Sequence, residues 1–248
     1  MPVGSNYIID TFQVCGGNVT YGSRGQLENR GIYTIGYPAY FPDAYSIQND
    51  YISNKLDLSI IIPVYNEEEN ILELYEKLCC VLSVLDKRYE IIFVDDGSTD
   101  NTFETIKSIQ DSNIRILRFQ RNYGKAAALS CGFNKSRGEY VITMDGDLQD
   151  DPKEIPRFLE KLKEFDMVSG WKVKRQDPLS KTLPSKCFNK LTRFITGVKI
   201  NDFNCGYKGY RREVVKNINL YGEFHRYIPA LAHWKGYTVG EIEVEHHP

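Results

Sequence analysis

Leu58-Ser59-Ile60-Ile61-Ile62-Pro63-Val64-Tyr65-Asn66-Glu67 opens with an apolar run of strand length and closes on a proline, an aromatic ring and an acid. A short, continuous apolar run bounded by turn formers reads as a strand buried on both faces. Directly after it, Glu67 to Leu85 carries Ile71, Leu74, Leu78, Val81 and Leu85 at helical spacing. This strand-then-helix unit recurs. Ile91-Ile92-Phe93-Val94 leads into Thr99 to Gln110, Ile114-Arg115-Ile116-Leu117 into Lys125 to Lys135, and Tyr140 to Thr143 into Pro152 to Glu164. Such alternation predicts an α/β fold, a Rossmann-like, mostly parallel sheet with helices on both faces.

Outward from this core the pattern loosens. After Asp166-Met167-Val168-Ser169-Gly170 comes the polar segment Lys172 to Ser180, then a helix over Lys181 to Thr196, a helix over His225 to Lys235 and a strand over Thr238 to Glu245. Residues 1–56 form a separate extension of unassigned role: seven of the 17 tyrosines and seven of the 19 glycines fall there. That composition, with no helical period, suits short hairpin-like strands, for instance around Gly31 to Gly36.

A formal net charge of −2 and a pI near 6.1 give no basic face for nucleic acid. The six cysteines show no C-x-x-C pair and read as reduced thiols in a cytosolic compartment, and His225, His233, His246 and His247 lack finger-like spacing to them. Met1 is followed by no signal-peptide pattern, and no stretch approaches the ~18–20 apolar residues of a membrane span.

Three strand ends carry the chemistry. In a parallel sheet, the ends at Tyr65-Asn66-Glu67, Asp95-Asp96-Gly97-Ser98-Thr99-Asp100 and Asp145-Gly146-Asp147-Leu148-Gln149 face one crevice. Asp-x-Asp offers hard oxygen ligands to Mg²⁺ or Mn²⁺, which would also hold substrate phosphates. Tyr65 is suited to stacking on a base, and Asp96 to accepting from base or ribose, with Gly97 allowing a sharp turn. Ser98 or Asp100 reads equally well as a helix cap. Crowded acids repel, so a cation or a hydrogen-bonding ligand is expected among them.

Ile62-Pro63-Val64-Tyr65-Asn66-Glu67, Val94-Asp95-Asp96-Gly97-Ser98-Thr99-Asp100 and Met144-Asp145-Gly146-Asp147-Leu148-Gln149-Asp150-Asp151-Pro152 resemble family 2 glycosyltransferases. The nearest likeness is to the polyprenyl-phosphate branch, which includes dolichyl-phosphate mannose synthase and the bactoprenol glucosyltransferases, and it covers residues 57–248. The resemblance implies a GT-A fold and inverting transfer of a sugar from a UDP- or GDP-sugar. It places Pro63, Tyr65, Glu67, Asp95 and Asp96 around the nucleoside, and Asp145, Asp147 and Gln149 around the metal and diphosphate, with Asp147 counted as catalytic. Arg121, in Arg121-Asn122-Tyr123-Gly124-Lys125, either approaches the donor or is a solvated residue at a glycine-led helix start.

In the same branch, basic and hydroxyl residues after the fifth strand receive the lipid phosphate. The candidates here are Arg175, Lys181 and Ser185, with Lys172, Lys174 and Lys186 nearby; Lys181 and Ser185 lie one helical turn apart. Asp202 stands near the family's acid facing the acceptor and reads as general base, as orienting group or as a turn former. The chain stops where relatives continue into a basic segment and membrane helices, so it is expected to be a truncated catalytic domain working at the cytoplasmic membrane face.

The reading is therefore metal-dependent transfer of a sugar to polyprenyl phosphate. Transfer to a sugar hydroxyl of a polysaccharide or glycolipid is the alternative, and a non-catalytic nucleotide-sugar-binding module is the alternative of another class. A nucleotidyltransferase would need a Gly-rich phosphate loop after Pro63, which is not evident. The expected partners are the nucleotide sugar, the lipid phosphate and a membrane surface; a homo-oligomer is compatible with the sequence.

Overall fold

The computed structural model describes residues 8–9, 34–35, 56–173, 189 and 192–245. Within these, nine strands form one sheet: β1 (Ile8–Ile9), β2 (Thr34–Ile35), β3 (Leu58–Val64), β4 (Tyr89–Asp95), β5 (Ile114–Phe119), β6 (Tyr140–Thr143), β7 (Met167–Lys172), β8 (Lys208–Arg211) and β9 (Val239–Val244). The α-helices with both bounds among the described residues are α1 (Ile71–Leu82), α2 (Thr102–Ser108), α3 (Lys125–Lys135), α4 (Ile155–Lys161), α5 (Arg212–Asn217) and α6 (Ile228–Trp234), and residues 192–196 are also helical. No helix among the described residues is long and apolar enough to cross a membrane.

Side chains alternate along β3 as a doubly covered strand requires. Leu58, Ile60, Ile62 and Val64 pack with Ile71, Leu74 and Leu78 of α1, whereas Ile61 packs with Ala128, Leu129 and Phe133 of α3 on the other face. In β4, Ile91 and Phe93 face α1 and Ile92 and Val94 face α3. Ile60, Ile61 and Ile62 are fully buried, and each such side chain contributes about 1.5–3 kcal/mol of burial. The expected layers, a sheet between two sets of helices, are therefore present.

The sheet order is β5-β4-β3-β6-β8-β7-β9, parallel except where β8 pairs antiparallel with β6 and β7. From β3 the chain moves to β4 and β5 on one side, then returns to β6 on the other, which makes the carboxyl end of β3 a topological switch point. There the sheet also splits. β4 pairs with all of Leu58–Val64, but β6 pairs only with Leu58–Ile61. Pro63 thus falls beyond the β6 pairing, where its missing N–H costs no ladder bond on that side.

Several boundaries differ from the sequence expectation. α1 begins at Ile71 rather than Glu67, and α2 spans Thr102–Ser108 rather than Thr99 to Gln110, because residues 66–70 and 98–102 are bound to each other. β8 and α5 were not anticipated. Thr34–Ile35 is a strand, but it pairs in parallel with β5, as does Ile8–Ile9, so these two pairs do not form a hairpin with each other. At the opposite end of the sheet from the crevice, Glu90 is buried and accepts from Ser59 Oγ (2.7 Å), Arg115 Nη1 (2.8 Å) and the Arg137 amide (2.8 Å). This network locks β3, β4, β5 and the turn before β6 together.

Candidate functional site

The β3 and β4 ends are stitched into one wall. Asn66 takes the left-handed conformation (φ 57°), which points its amide at Ser98 Oγ (3.0 Å) and lets its Oδ1 accept from the Thr99 amide (2.9 Å). Thr102 Oγ1 accepts from the Glu67 amide (2.8 Å), and Asp100 accepts from the amides of Glu68 (3.3 Å) and Thr102 (3.0 Å). The N-cap of α2 is Asn101, and Asp100 just before it bonds the first helical amide while also reaching across to β3's loop. Tyr65, at the end of β3, is 43% exposed, the accessible aromatic face expected of a base platform.

Asp96 is nearly buried, and its two oxygens accept from the amides of Tyr123 (2.7 Å) and Gly124 (2.8 Å). The carboxylate assigned to a base or ribose thus also fixes the 121–125 segment. Burial is the main reason its carboxyl sits above the ordinary value. Gly97 is required here: at φ 72°, a Cβ would stand 2.4 Å from the carbonyl carbon of Arg121. That contact brings Arg121 to the wall, where its guanidinium lies 4.8 Å from the centre of the Tyr123 ring. Asp95 corrects the expectation. It is fully buried, accepting from the Ser98 amide (2.8 Å) and paired with Arg118 Nε (3.3 Å), so it shapes the turn and offers no surface to a nucleotide.

The third strand end brings the remaining acids to the same place. A Cβ on Gly146 would meet Val64 Cγ1 at 2.9 Å and Glu67 Cγ at 3.8 Å, so the Asp145-Gly146-Asp147 turn lies directly against the β3 end. Leu148, left-handed at φ 64°, turns the chain so that the Gln149 amide donates to Asp147 Oδ1 (3.1 Å). Burial first, then Asp147, Asp145 and Asp100, push the Glu67 carboxyl above its ordinary value. Burial would also push Asp145 up, but Lys125 (Nζ to Oδ1, 2.5 Å), Lys172 and Lys208 outweigh it and hold the carboxyl low.

Beneath this turn Asp150 is buried. It accepts from the Asp145 amide (3.1 Å) and pairs with Lys172 Nζ (2.9 Å), whose side chain is only 8% exposed. Lys172 is thereby held at the floor of the site by an acid. From the far side Gly206 closes in: a Cβ there would lie 2.6 Å from both carboxylate oxygens of Asp145. Thr143 Oγ1 donates to the Gly206 carbonyl (3.0 Å), and buried Lys208 donates to the Cys205 carbonyl. Burial presses the Lys208 ammonium below its ordinary value. Asp202 is buried and accepts from the Asn204 amide (3.0 Å), while the Asn201 and Asp202 amides donate to Glu241 (2.6 and 3.0 Å). The observed geometry supplies the turn-forming option for Asp202. Arg175, Lys181 and Ser185, like Lys174, Lys186, His246 and His247, lie outside the described residues.

Among the described residues no three His, Cys, Asp or Glu side chains close on one point. Two carboxylates on one turn, Asp145 and Asp147, are donors of the type Mg²⁺ or Mn²⁺ takes, and the rest of its shell would come from phosphate oxygens and water.

The family model described as glycosyl transferase family 2 matches residues 59–218, which takes in all three strand ends and β8. The chain belongs to glycosyl transferase family 2. As a family member it is 40% identical over 203 residues to a dodecaprenyl-phosphate galacturonate synthase of Rhizobium johnstonii, covering 77% of this chain and 59% of that protein. It is 39% identical over 193 residues to an undecaprenyl-phosphate 4-deoxy-4-formamido-L-arabinose transferase of Shewanella sediminis, covering 76% and 58%. The chain thus spans less than two thirds of the length of these curated relatives. Among solved structures, glucosyl-3-phosphoglycerate synthase of Mycobacterium tuberculosis with Mn²⁺ and UDP-glucose superposes with a TM-score of 0.61 at 17% identity, over 78% of this chain and 72% of that one. That likeness supports the GT-A-like fold of this glycosyltransferase.

Sequence reasoning missed Lys125, Asp150, Gly206 and Lys208 as neighbours of the Asp-x-Asp turn. For Asp150 a signal existed in the acid run itself, and for Lys125 in its place beside the Arg121-Asn122-Tyr123-Gly124 motif. Lys208 and Gly206 approach through the antiparallel strand β8, which local pattern does not announce.

Proposed function

We propose that this glycosyltransferase transfers a sugar, with inversion and dependence on Mg²⁺ or Mn²⁺, from a nucleotide-sugar donor to polyprenyl phosphate at the cytoplasmic face of a membrane. The observation that carries the reading is the meeting of Tyr65 and Glu67, Asp96 with the 121–125 segment, and Asp145 with Asp147 at one switch point. The curated relatives, both named for polyprenyl-phosphate products, support the acceptor class.

In this reading Tyr65 stacks on the base, and Asp96 and Arg121 with Pro63 and Glu67 shape the nucleoside wall. Asp145, Asp147 and Gln149 hold the divalent ion, which when bound serves as a Lewis acid for the departing diphosphate. A phosphate oxygen of the acceptor attacks the anomeric carbon from the face opposite the diphosphate. The carbon–oxygen bond to the diphosphate breaks, and its electron pair leaves with the nucleoside diphosphate.

A phosphate monoester is ionised near neutral pH, so no side chain need remove a proton. The buried, turn-bound Asp202 accords with that economy and weighs against a sugar hydroxyl as acceptor. Arg175, Lys181 and Ser185 remain the proposed receivers of the lipid phosphate. The test is a panel of UDP- and GDP-sugars incubated with short polyprenyl phosphates and Mn²⁺, with products identified by mass spectrometry. A glycosyl-phosphoprenol product is expected; donor hydrolysis alone, or glycosylation of a saccharide only, would refute the acceptor.

A further inference from the structure

Next to Asp145 the fold encloses a cavity of about 370 Å³ whose wall includes Lys125, Thr143, Gly206, Lys208, His225 and Arg226. Its lining holds three cationic side chains and a histidine, and no carboxylate. Thr143, Asn204 and Tyr210 add groups that both donate and accept, so what sets the lining apart is its positive charge. Two cations reach it by separate routes. Lys208 rises from β8 on the sheet floor, and Arg226 comes from the turn before α6.

The site also contains an unsatisfied group. His225 Nδ1 is buried and has no hydrogen-bond partner among the described residues, a condition that a bound ligand relieves. Lys125 joins the cavity to the diphosphate end, because its ammonium lies on both the cavity wall and Asp145.

We propose that this cavity receives the transferred sugar and selects one bearing a carboxylate, a uronic acid, with Arg226 and Lys208 pairing to the acid group. The proposal rests on the donor reading above. A sugar whose anomeric oxygen is tied to a diphosphate at Asp145 and Asp147 extends toward Thr143 and Gly206, and its far substituent then meets Lys208, His225 and Arg226. Arg226 is exposed and, among the described residues, pairs at the rim with the exposed Glu223 (3.3 Å), a weak pairing that a ligand carboxylate would replace. An anion beside Lys208 offsets the burial that depresses its charge.

The experiment is calorimetric titration of the full chain, in Mn²⁺, with UDP, UDP-galactose and UDP-galacturonate, the two sugars differing only at C6. A charge-assisted bond in a partly buried site predicts about ten- to a hundredfold tighter binding of the uronate. Arg226→Met, at an exposed position, should shrink that ratio toward one, Arg226→Lys should restore part of it, and Lys208→Met should act in the same direction. Equal affinity for the two sugars overturns the inference and leaves the transferase reading standing. Failure of all three nucleotides, UDP included, removes the uridine-donor reading and the inference with it. If Arg226→Met leaves the sugar ratio intact but weakens farnesyl phosphate, the cavity belongs to the acceptor and the inference is wrong.

Discussion

Replacing Gly206 with alanine adds one methyl group at the point where β8's approach loop touches the Asp-x-Asp turn. The new Cβ would sit 2.6 Å from both Asp145 oxygens, whereas ordinary contact begins at 3.4 Å, so carboxylate and loop must part by about 0.8 Å. Metal ligands tolerate about 0.2 Å, and a misplacement near 1 Å costs about a hundredfold in rate. Gly206→Ala is therefore expected to lower kcat/KM about a hundredfold and to weaken Mn²⁺ binding, read by electron paramagnetic resonance. Overpacking costs about 1–3 kcal/mol, and each kcal/mol moves the Tm of a domain this size about 2–4 °C, so the fold persists. Gly236→Ala is the control: its φ of 89° imposes backbone strain, but nothing lies within 4 Å of the added Cβ. Sugar transfer by Gly206→Ala within about twofold of wild type, or an equal loss in Gly236→Ala, would show that the Gly206 contact does not position Asp145.

Asp147→Ala should reduce turnover by several orders of magnitude while circular dichroism shows an intact fold; near-normal transfer would sink the assignment of the metal ligands. Asp96→Asn replaces one acceptor of the Tyr123 and Gly124 amides with a donor, which costs about 1–3 kcal/mol. Faster hydrogen exchange at those two amides and weaker nucleotide binding are expected, and unchanged protection would contradict the latch. Glu90→Ala strands Arg115 without its buried partner, and should cost about 3–5 kcal/mol by chemical denaturation with little effect on KM. Burial opposes ionisation of Glu90, but Arg115, Ser59 and Arg137 prevail and hold its carboxyl below the ordinary value. Its contribution is thus present above the usual glutamate range and is lost as pH falls through the folded value. Glu90→Ala should flatten the acid-side decline in Tm, and an unchanged slope would refute this.

The parallel core was legible because β3 and β4 are buried on both faces, which leaves apolar runs, and because α1 and α3 carry one-sided apolar periods. α3 and β6 match their expected bounds. α1 and α2 start late for a tertiary reason: Asn66, Glu67 and Glu68 spend their amides on Ser98, Thr102 and Asp100 across the crevice. β8 was hidden by its own content, Lys208-Gly209-Tyr210-Arg211, where two cations and a glycine look like loop. The Cys205 carbonyl under Lys208, Tyr210 against Phe133, Gly209 against Phe158 and the 162–165 carbonyls under Arg211 make that strand tenable inside the fold. Asp95 and Asp96 were indistinguishable as neighbours in sequence, yet strand alternation sends them to different partners, Arg118 and the 123–124 amides.

The late insertion of β8 between β6 and β7 divides the crevice by the sequence separation of its parts. The wall at the β3 and β4 ends is bonded together by residues within 58–124. The other wall needs residues 204–208 to travel back and press Gly206 onto Asp145, with Thr143 Oγ1 bonded to a carbonyl 63 positions later. A change in the returning segment therefore bears on the Asp145 side of the crevice and leaves the bonds that join the β3 and β4 ends in place.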